Sequence, residues 1–308
     1  MTRFKPKFEI NTPSLFDTLE MTDFTGPEDT GLRFISFGSG SSGNCAYLGT
    51  EEEGFLIDAG VDPDTVKSEL GRRGIKMSEL KGIILTHDHK DHIRYTYKIL
   101  KKNPSLPLFA TPKTISGILR RHSLTTRLKD YHRPIFIETP FRIGRSFTVT
   151  AFTAPHDSTD NVGFFIEAGT RKFAVATDLG AITDRVEFYL SQADYIMIES
   201  NYDLDMLRNG PYPIYLKARI ESSTGHLDNK DCARFLARIC TPALKNIFLC
   251  HLSEHNNTPQ TAISETAAAL KEKGITVGDA SGKFDQTSAR VQLTALPRTT
   301  PSPFFILR

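Results

Sequence analysis

One stretch constrains this chain more than any other. The apolar run Gly82-Ile83-Ile84-Leu85-Thr86 ends abruptly in His87-Asp88-His89-Lys90-Asp91-His92. A short apolar run of this kind reads as a buried strand. Where such a strand opens into a loop, alternate side chains can converge on one point. Imidazole nitrogen and carboxylate oxygen both suit Zn²⁺, and carboxylates also suit Mn²⁺. Three histidines and an aspartate within one short segment exceed what a single zinc ion needs from it, so two adjacent ions are expected. Three more candidates each end an apolar run: His156 after Ala151–Ala154, Asp178 after Phe173–Thr177, and His251 after Asn246–Cys250. Each alone also reads as an ordinary polar cap. Together they complete seven side chains, enough for a two-metal site.

The rest of the chain reads as strands alternating with helices. Strands are expected at 32–37, 45–48, 54–58, 82–86, 106–110, 146–154, 162–168, 171–177, 194–199, 246–250, 275–278 and 289–296. Helices are expected at 64–73, 93–102, 112–121, 182–192, 229–240 and 259–273. Residues 123–144 carry no clear signal. The polar segment 1–30, broken by prolines and glycines, reads as an N-terminal extension. The segment 297–308, with three prolines, reads as a peripheral C-terminal tail. Between them, 31–296 form one α/β domain with two strand-rich halves.

The order H-x-H-x-D-H, then His, then Asp, then His resembles the metallo-β-lactamase superfamily. Within it the chain looks like the YycJ/WalJ group of bacterial exonuclease-like proteins. The residues carrying that closer likeness are Ser39–Asn44, Leu56–Gly60, Thr86–His92, Pro155–Asp157, Thr177–Gly180, Glu199–Asp203, Gly225–Leu227 and His251–Ser253. The resemblance implies an αββα four-layer sandwich with mixed sheets. It also implies that His87, His89 and His156 bind one metal, that Asp91, His92 and His251 bind the other, and that Asp178 bridges them. Asp58 would orient a histidine ligand from behind, although before Ala59-Gly60 it also reads as a turn residue. The chain departs from the group at Asp88 and Lys90, where Glu and Ser are expected, and lacks a glycine after His92. These are spacers, not ligands.

Two ions about 3.5–4 Å apart can activate a bridging hydroxide and hold both oxygens of an in-line displacement. That chemistry suits phosphodiesters, and Asp91 could orient the attacking water. His226, in a Gly-His segment like one in the related tRNase Z proteins, would protonate a leaving alcohol; it also reads as a helix-start residue. Ser41, Ser42 and Asn44 lie in a Gly/Ser loop that could cradle a phosphate or simply close a hairpin. Arg120, Arg121, Arg127 and Lys129 could track a nucleic-acid backbone, or be solvated surface. The formal charge of +2 neither demands nor excludes such a partner. The resemblance implies a DNA exonuclease attacking 5′ ends, with DNA favoured over RNA. The alternatives are an RNA-processing nuclease, or a small-molecule hydrolase acting on a thioester, lactone or cyclic nucleotide. A binding protein without turnover is disfavoured because every ligand position is filled. No long apolar run or C-x-x-C pair is present, so a cytoplasmic protein with reduced thiols and no membrane span is expected.

Overall fold

Alternation along the strands divides the apolar side chains into distinct layers. The computed structural model describes residues 31–122, 126–279 and 290–308; the expected extension 1–30 and the start of the strand expected at 289 lie outside the described residues. The N-terminal half runs β1 (Leu32–Gly38), β2 (Cys45–Gly49), β3 (Gly54–Ile57), α1 (Pro63–Gly71), β4 (Leu80–Ile84), α2 (Lys90–Ile93), α3 (Thr96–Lys102), β5 (Leu108–Ala110), α4 (Pro112–Arg121), α5 (Leu128–Tyr131) and β6 (His132–Pro134). The second half begins with β7 (Phe141–Ile143), β8 (Phe147–Thr153), β9 (Val162–Ala168), β10 (Arg171–Ala176), α6 (Asp184–Leu190) and β11 (Tyr195–Glu199). It continues through α7 (Leu204–Asn209), α8 (Ile214–Ile220), α9 (Asn229–Ile239), β12 (Asn246–Cys250), α10 (Pro259–Glu272), β13 (Val277–Asp279), β14 (Val291–Ala295) and β15 (Phe305–Leu307).

Among the described residues these strands make a seven-stranded sheet, β15-β1-β2-β3-β4-β5-β6, and an eight-stranded sheet, β13-β14-β12-β11-β10-β9-β8-β7. Successive strand residues point to opposite faces. Leu32 and Phe34 of β1 meet Tyr195 and Met197 of β11 in a core between the sheets. Ile35 and Phe37 turn outward against Val66, Leu70, Ile115 and Ile118 of the helices. Ile196 and Ile198 turn outward against Val186, Leu236 and Leu270. The result is helix, sheet, sheet, helix, the layered mixed α/β architecture the resemblance implied.

The long apolar runs fell where periodicity put them, but three expectations need correction. The tail 297–308 is not peripheral. It runs along the outer edge of β1: Ser39 N lies 3.1 Å from the carbonyls of Pro297 and Arg298, Ser302 N donates to Ser36 O at 2.8 Å, and β15 pairs antiparallel with β1. Phe305 enters an aromatic cluster, its ring centroid 5.0 Å from Phe248 and 6.1 Å from Phe34. An exposed edge of a central strand invites such a cover. Truncating Phe305 to alanine is expected to cost about 3 kcal/mol of folding stability; a denaturant midpoint equal to wild type would show the tail to be dispensable.

The helix expected at 93–102 is two helices, and its first turn begins at Lys90. Asp91 and His92 therefore sit on helix α2, while His87 and His89 lie in extended chain. Finally, α7 and α8 occupy a stretch where no helix was expected. Gly210, Pro211 and Pro213 interrupt the pattern there, and Leu207 of α7 and Ile220 of α8 share one small buried cluster with Tyr202. Among the described residues, no helix is long and apolar enough to cross a membrane.

Candidate metal centre

Parallel strands deliver their C-terminal ends to one side of a sheet, which is where α/β folds build their sites. β10, β11 and β12 are mutually parallel and adjacent, in register so that Ala176 faces Ile198 and Glu199 faces Cys250. Asp178, Glu199 and His251 thus emerge side by side. β3 and β4 are parallel in the other sheet and bring Asp58 beside Thr86 and His87. Asp58, Asp178 and His251 each take a left-handed backbone, with φ of 59°, 52° and 53°. For non-glycine residues this costs about 1–3 kcal/mol each, and such positions concentrate at functional sites. Here the turn aims each side chain back over the strand ends. Gly60 permits the close packing alongside, because a Cβ there would collide with the Asp91 carbonyl.

All seven side chains expected to share a site come together. His87, His89 and His156 offer ring nitrogens within 4.8 Å of one another; His87 and His92 with a carboxylate oxygen of Asp178, and His92 and His251 with one of Asp91, form two further groups as close. Asp178 lies between the groups: its Oδ2 is 3.1 Å from His92 Nε2 and its Oδ1 is 3.7 Å from His156 Nε2. His251 Nε2 is 3.7 Å from Asp91 Oδ2. Two buried nitrogens, His87 Nε2 and His251 Nε2, have no hydrogen-bond partner among the described residues. Buried polar atoms are otherwise almost always satisfied, so orphans aimed into a ligand cluster are what a divalent cation would use.

The charges agree. Burial pushes the His87 imidazole well below its usual range, and neighbouring His92 adds to this, so it is neutral and able to ligate. Burial also disfavours the Asp178 carboxylate, but His251 and His92 outweigh it and hold the group well below the usual carboxylate range. His92 goes the other way: burial lowers it, yet Asp178, Asp58 and Asp91 raise it strongly. A cation entering this cluster would displace the proton that the neighbouring carboxylates otherwise hold on the His92 imidazole.

Several of the imidazoles are held from behind. His92 Nδ1 is 2.8 Å from Asp58 Oδ2, and the same carboxylate accepts from Thr86 N and Thr86 Oγ1. His156 Nδ1 donates to the Gly225 carbonyl at 2.8 Å. Losing such an outer partner typically costs 10–100-fold in metal affinity. Asp58→Ala is expected to weaken metal retention by about that factor, read by competition with a chromophoric chelator; unchanged retention would make Asp58 only a turn residue.

Glu199, named only as part of the family likeness, has a role in the site that the sequence left unassigned. Its buried carboxylate is the hub of the site's second half. Oε1 lies 2.8 Å from both His226 Nδ1 and His251 Nδ1, while Oε2 accepts from Leu179 N and Leu227 N at 2.7 and 3.1 Å. Burial pushes the carboxyl up, but the two histidines outweigh it and bring it down to about 2. Its signal was available: it ends the apolar run Tyr195–Ile198, the same pattern that marked Asp178 and His251. His226 completes the arrangement, with its ring centroid 5.0 Å from that of His156 and 5.3 Å from that of His251.

The expected substrate contacts divide. Asn44 is inside the site: its Nδ2 reaches Asp91 Oδ2 at 3.1 Å and His92 Nε2 at 2.9 Å. Ser41 and Ser42 are exposed on the loop, and Ser39, not they, touches the site by accepting from His251 N at 2.9 Å. Arg120, Arg121, Arg127 and Lys129 are exposed and outside the ligand cluster. Arg121 approaches it through buried Asp88, at 3.6 Å. Asp88, a spacer in the sequence, anchors the site's periphery by accepting from Thr159 N at 3.0 Å.

A four-layer α/β sandwich with clustered His and Asp at its strand ends defines a class of metal-dependent hydrolases. The beta-lactamase superfamily domain matches residues 54–251, and the chain belongs to that family. It is similar to an exodeoxyribonuclease YycJ of Bacillus anthracis, 33% identical over 81% of this chain and 93% of that protein. It is similar too to an exodeoxyribonuclease WalJ of Streptococcus pneumoniae, 30% identical over 81% and 92%. Among solved structures, the metallo-beta-lactamase fold protein YhfI of Bacillus subtilis superposes with a TM-score of 0.63 at 15% identity, covering 88% of this chain and 99% of that one. The protein is a metal-dependent hydrolase of this fold.

Proposed function

We propose that the protein is an exonuclease that removes nucleotides from the 5′ ends of DNA in the cytoplasm, using two divalent ions, Zn²⁺ or Mn²⁺. The names of its 30–33% identical relatives support the substrate class. The observation that carries the chemistry is the Glu199–His226 pair. His226 lies outside the seven-ligand set yet beside His156 and His251, and its Nδ1 is fixed by Glu199 at 2.8 Å. With Nδ1 held, Nε2 is the atom left to give a proton. A departing sugar oxygen needs that proton, whereas hydrolysis that expels a stable anion does not.

Bound divalent ions would supply Lewis acidity, lower the pKa of a water at the site and neutralise a phosphate. His87, His89 and His156 would hold one, Asp91, His92 and His251 the other, with Asp178 between them. Asp91, part-exposed and tied to Asn44, would orient an attacking water. The preference for DNA, and for 5′ ends, is tested by digesting 5′- and 3′-labelled DNA and RNA of one sequence. Early release of the 5′ label from DNA is expected. Early release of the 3′ label, or faster decay of RNA, would overturn that part of the reading.

The exposed basic residues serve the same substrate in this account. Each phosphate neutralised by Lys or Arg makes binding more salt-sensitive. Replacing Arg120, Arg127 and Lys129 together by alanine is expected to make the dependence of KM on salt shallower. A slope equal to wild type would remove them from the binding track. Arg121 is left intact because of its contact with Asp88.

A further inference from the structure

Asp88 sits between two proposed ligands, yet it turns away from the metals. In extended chain, alternate side chains take opposite faces. The direction of Asp88 therefore fixes that of His87 and His89 on the other side. Its side chain is wholly buried, and a buried charge persists only where it is paired and hydrogen-bonded. Thr159 N and Thr159 Oγ1 donate to its carboxylate at 3.0 and 2.5 Å. Thr159 lies in the β8–β9 loop, which also carries His156. One carboxylate thus locks together the two segments that bear His87, His89 and His156, the residues proposed to hold the first metal.

Both segments rest on α4, and on a single row of its side chains. Thr111, the residue that caps its start, donates Oγ1 to Asp160 Oδ2 at 2.6 Å, and Thr114 Oγ1 donates to the Asp160 carbonyl at 3.4 Å. One turn further on, Gly117 lies directly beneath the Asp88–Thr159 contact. A Cβ there would stand 2.1 Å from Asp88 Oδ2 and 2.4 Å from Thr159 Oγ1. At the end of the helix, Arg121 Nη1 approaches Asp88 Oδ2 at 3.6 Å, and His122 Nε2 donates to the Asp88 carbonyl at 2.7 Å. Positions three and four apart share a helix face, so Thr114, Gly117 and Arg121 follow one another along it. Ile115 and Ile118, next to this row, fasten α4 to the outer core. Glycine is a poor residue for a helix interior; here the close approach of a buried carboxylate requires it.

We infer that this face of α4 is a bracket that aims His87, His89 and His156 at the first metal, with Asp88, Thr159 and Gly117 as positioning residues. This rests on the ligand set proposed above. The test is competition for Zn²⁺ between metal-depleted full-length protein and a chromophoric chelator, giving a stepwise constant for each ion. Denaturant unfolding of the same metal-free samples accompanies it. D88A and G117A are expected to weaken, by about 10–100-fold, the step that H89A abolishes, the usual cost of losing the outer support of a ligand. The other step should stay near wild type. T159V should weaken the same step, and T159S, which keeps the hydroxyl, should restore it. Either D88A or G117A binding both ions like wild type would overturn the bracket and leave the metal reading intact. So would a T159S as weak as T159V. Equal loss of both ions with a lower unfolding midpoint would also overturn it, and would make the row a folding contact. A wild type that takes up no Zn²⁺ overturns both readings.

Discussion

Asp178→Ala is expected to lose both metals and nearly all activity. The carboxylate is 2% exposed and lies between His92 and His156, with oxygens directed to both halves of the cluster. If two ions bind as proposed, removing it would leave them without the shared negative charge that reduces their repulsion. The loss should exceed the roughly 10–100-fold that accompanies removal of an outer hydrogen-bond partner. Elemental analysis of the purified variant checks the metals, and a chromogenic phosphodiester checks turnover. A variant with two ions per chain and undiminished turnover would falsify the bridging role. Asp178→Asn is less decisive, because the amide still offers one oxygen.

The second large effect is a difference between two substrates. His226→Ala should keep its metals, since His226 is outside the seven proposed ligands. Polynucleotide cleavage should fall by about 10²–10⁴-fold, the usual worth of a general acid. Cleavage of bis(p-nitrophenyl) phosphate should fall much less, because nitrophenolate leaves without a proton. The ratio of the two losses is the readout. Equal losses would mean that His226 positions the phosphate instead. Glu199→Gln should reproduce the same asymmetry in weaker form, because the amide can still contact His226 Nδ1 but no longer carries the charge.

The strands were legible because they are apolar runs that stop at polar residues, whereas the two-sheet plan came from the family resemblance. Val175 and Ile198 are wholly buried, and the residues that end their strands face the site. The seven proposed ligands were visible as candidates because four of them fall within 87–92 and the other three end apolar runs. What escaped were features made by tertiary contact. Phe305 lies in a proline-broken tail and becomes core only because the edge of β1 is there to receive it. The α7–α8 hairpin is built on a few apolar residues among prolines, too few to set up a helical period. Glu199 escaped because a single glutamate at a strand end is common; its importance arises from His226 and His251 arriving from elsewhere in the chain. Asn44, read as a possible phosphate contact, turns its amide onto Asp91 and His92, which local sequence does not specify.

The number of ions that DNA hydrolysis requires is the most direct test of a two-metal nuclease. Metal-depleted protein can be titrated with Mn²⁺ or Zn²⁺ while release of nucleotide from 5′-labelled DNA is followed. Hydrolysis should rise to a plateau at two ions per chain. A plateau at one ion, or protein loaded with two ions that leaves the DNA intact, would contradict it.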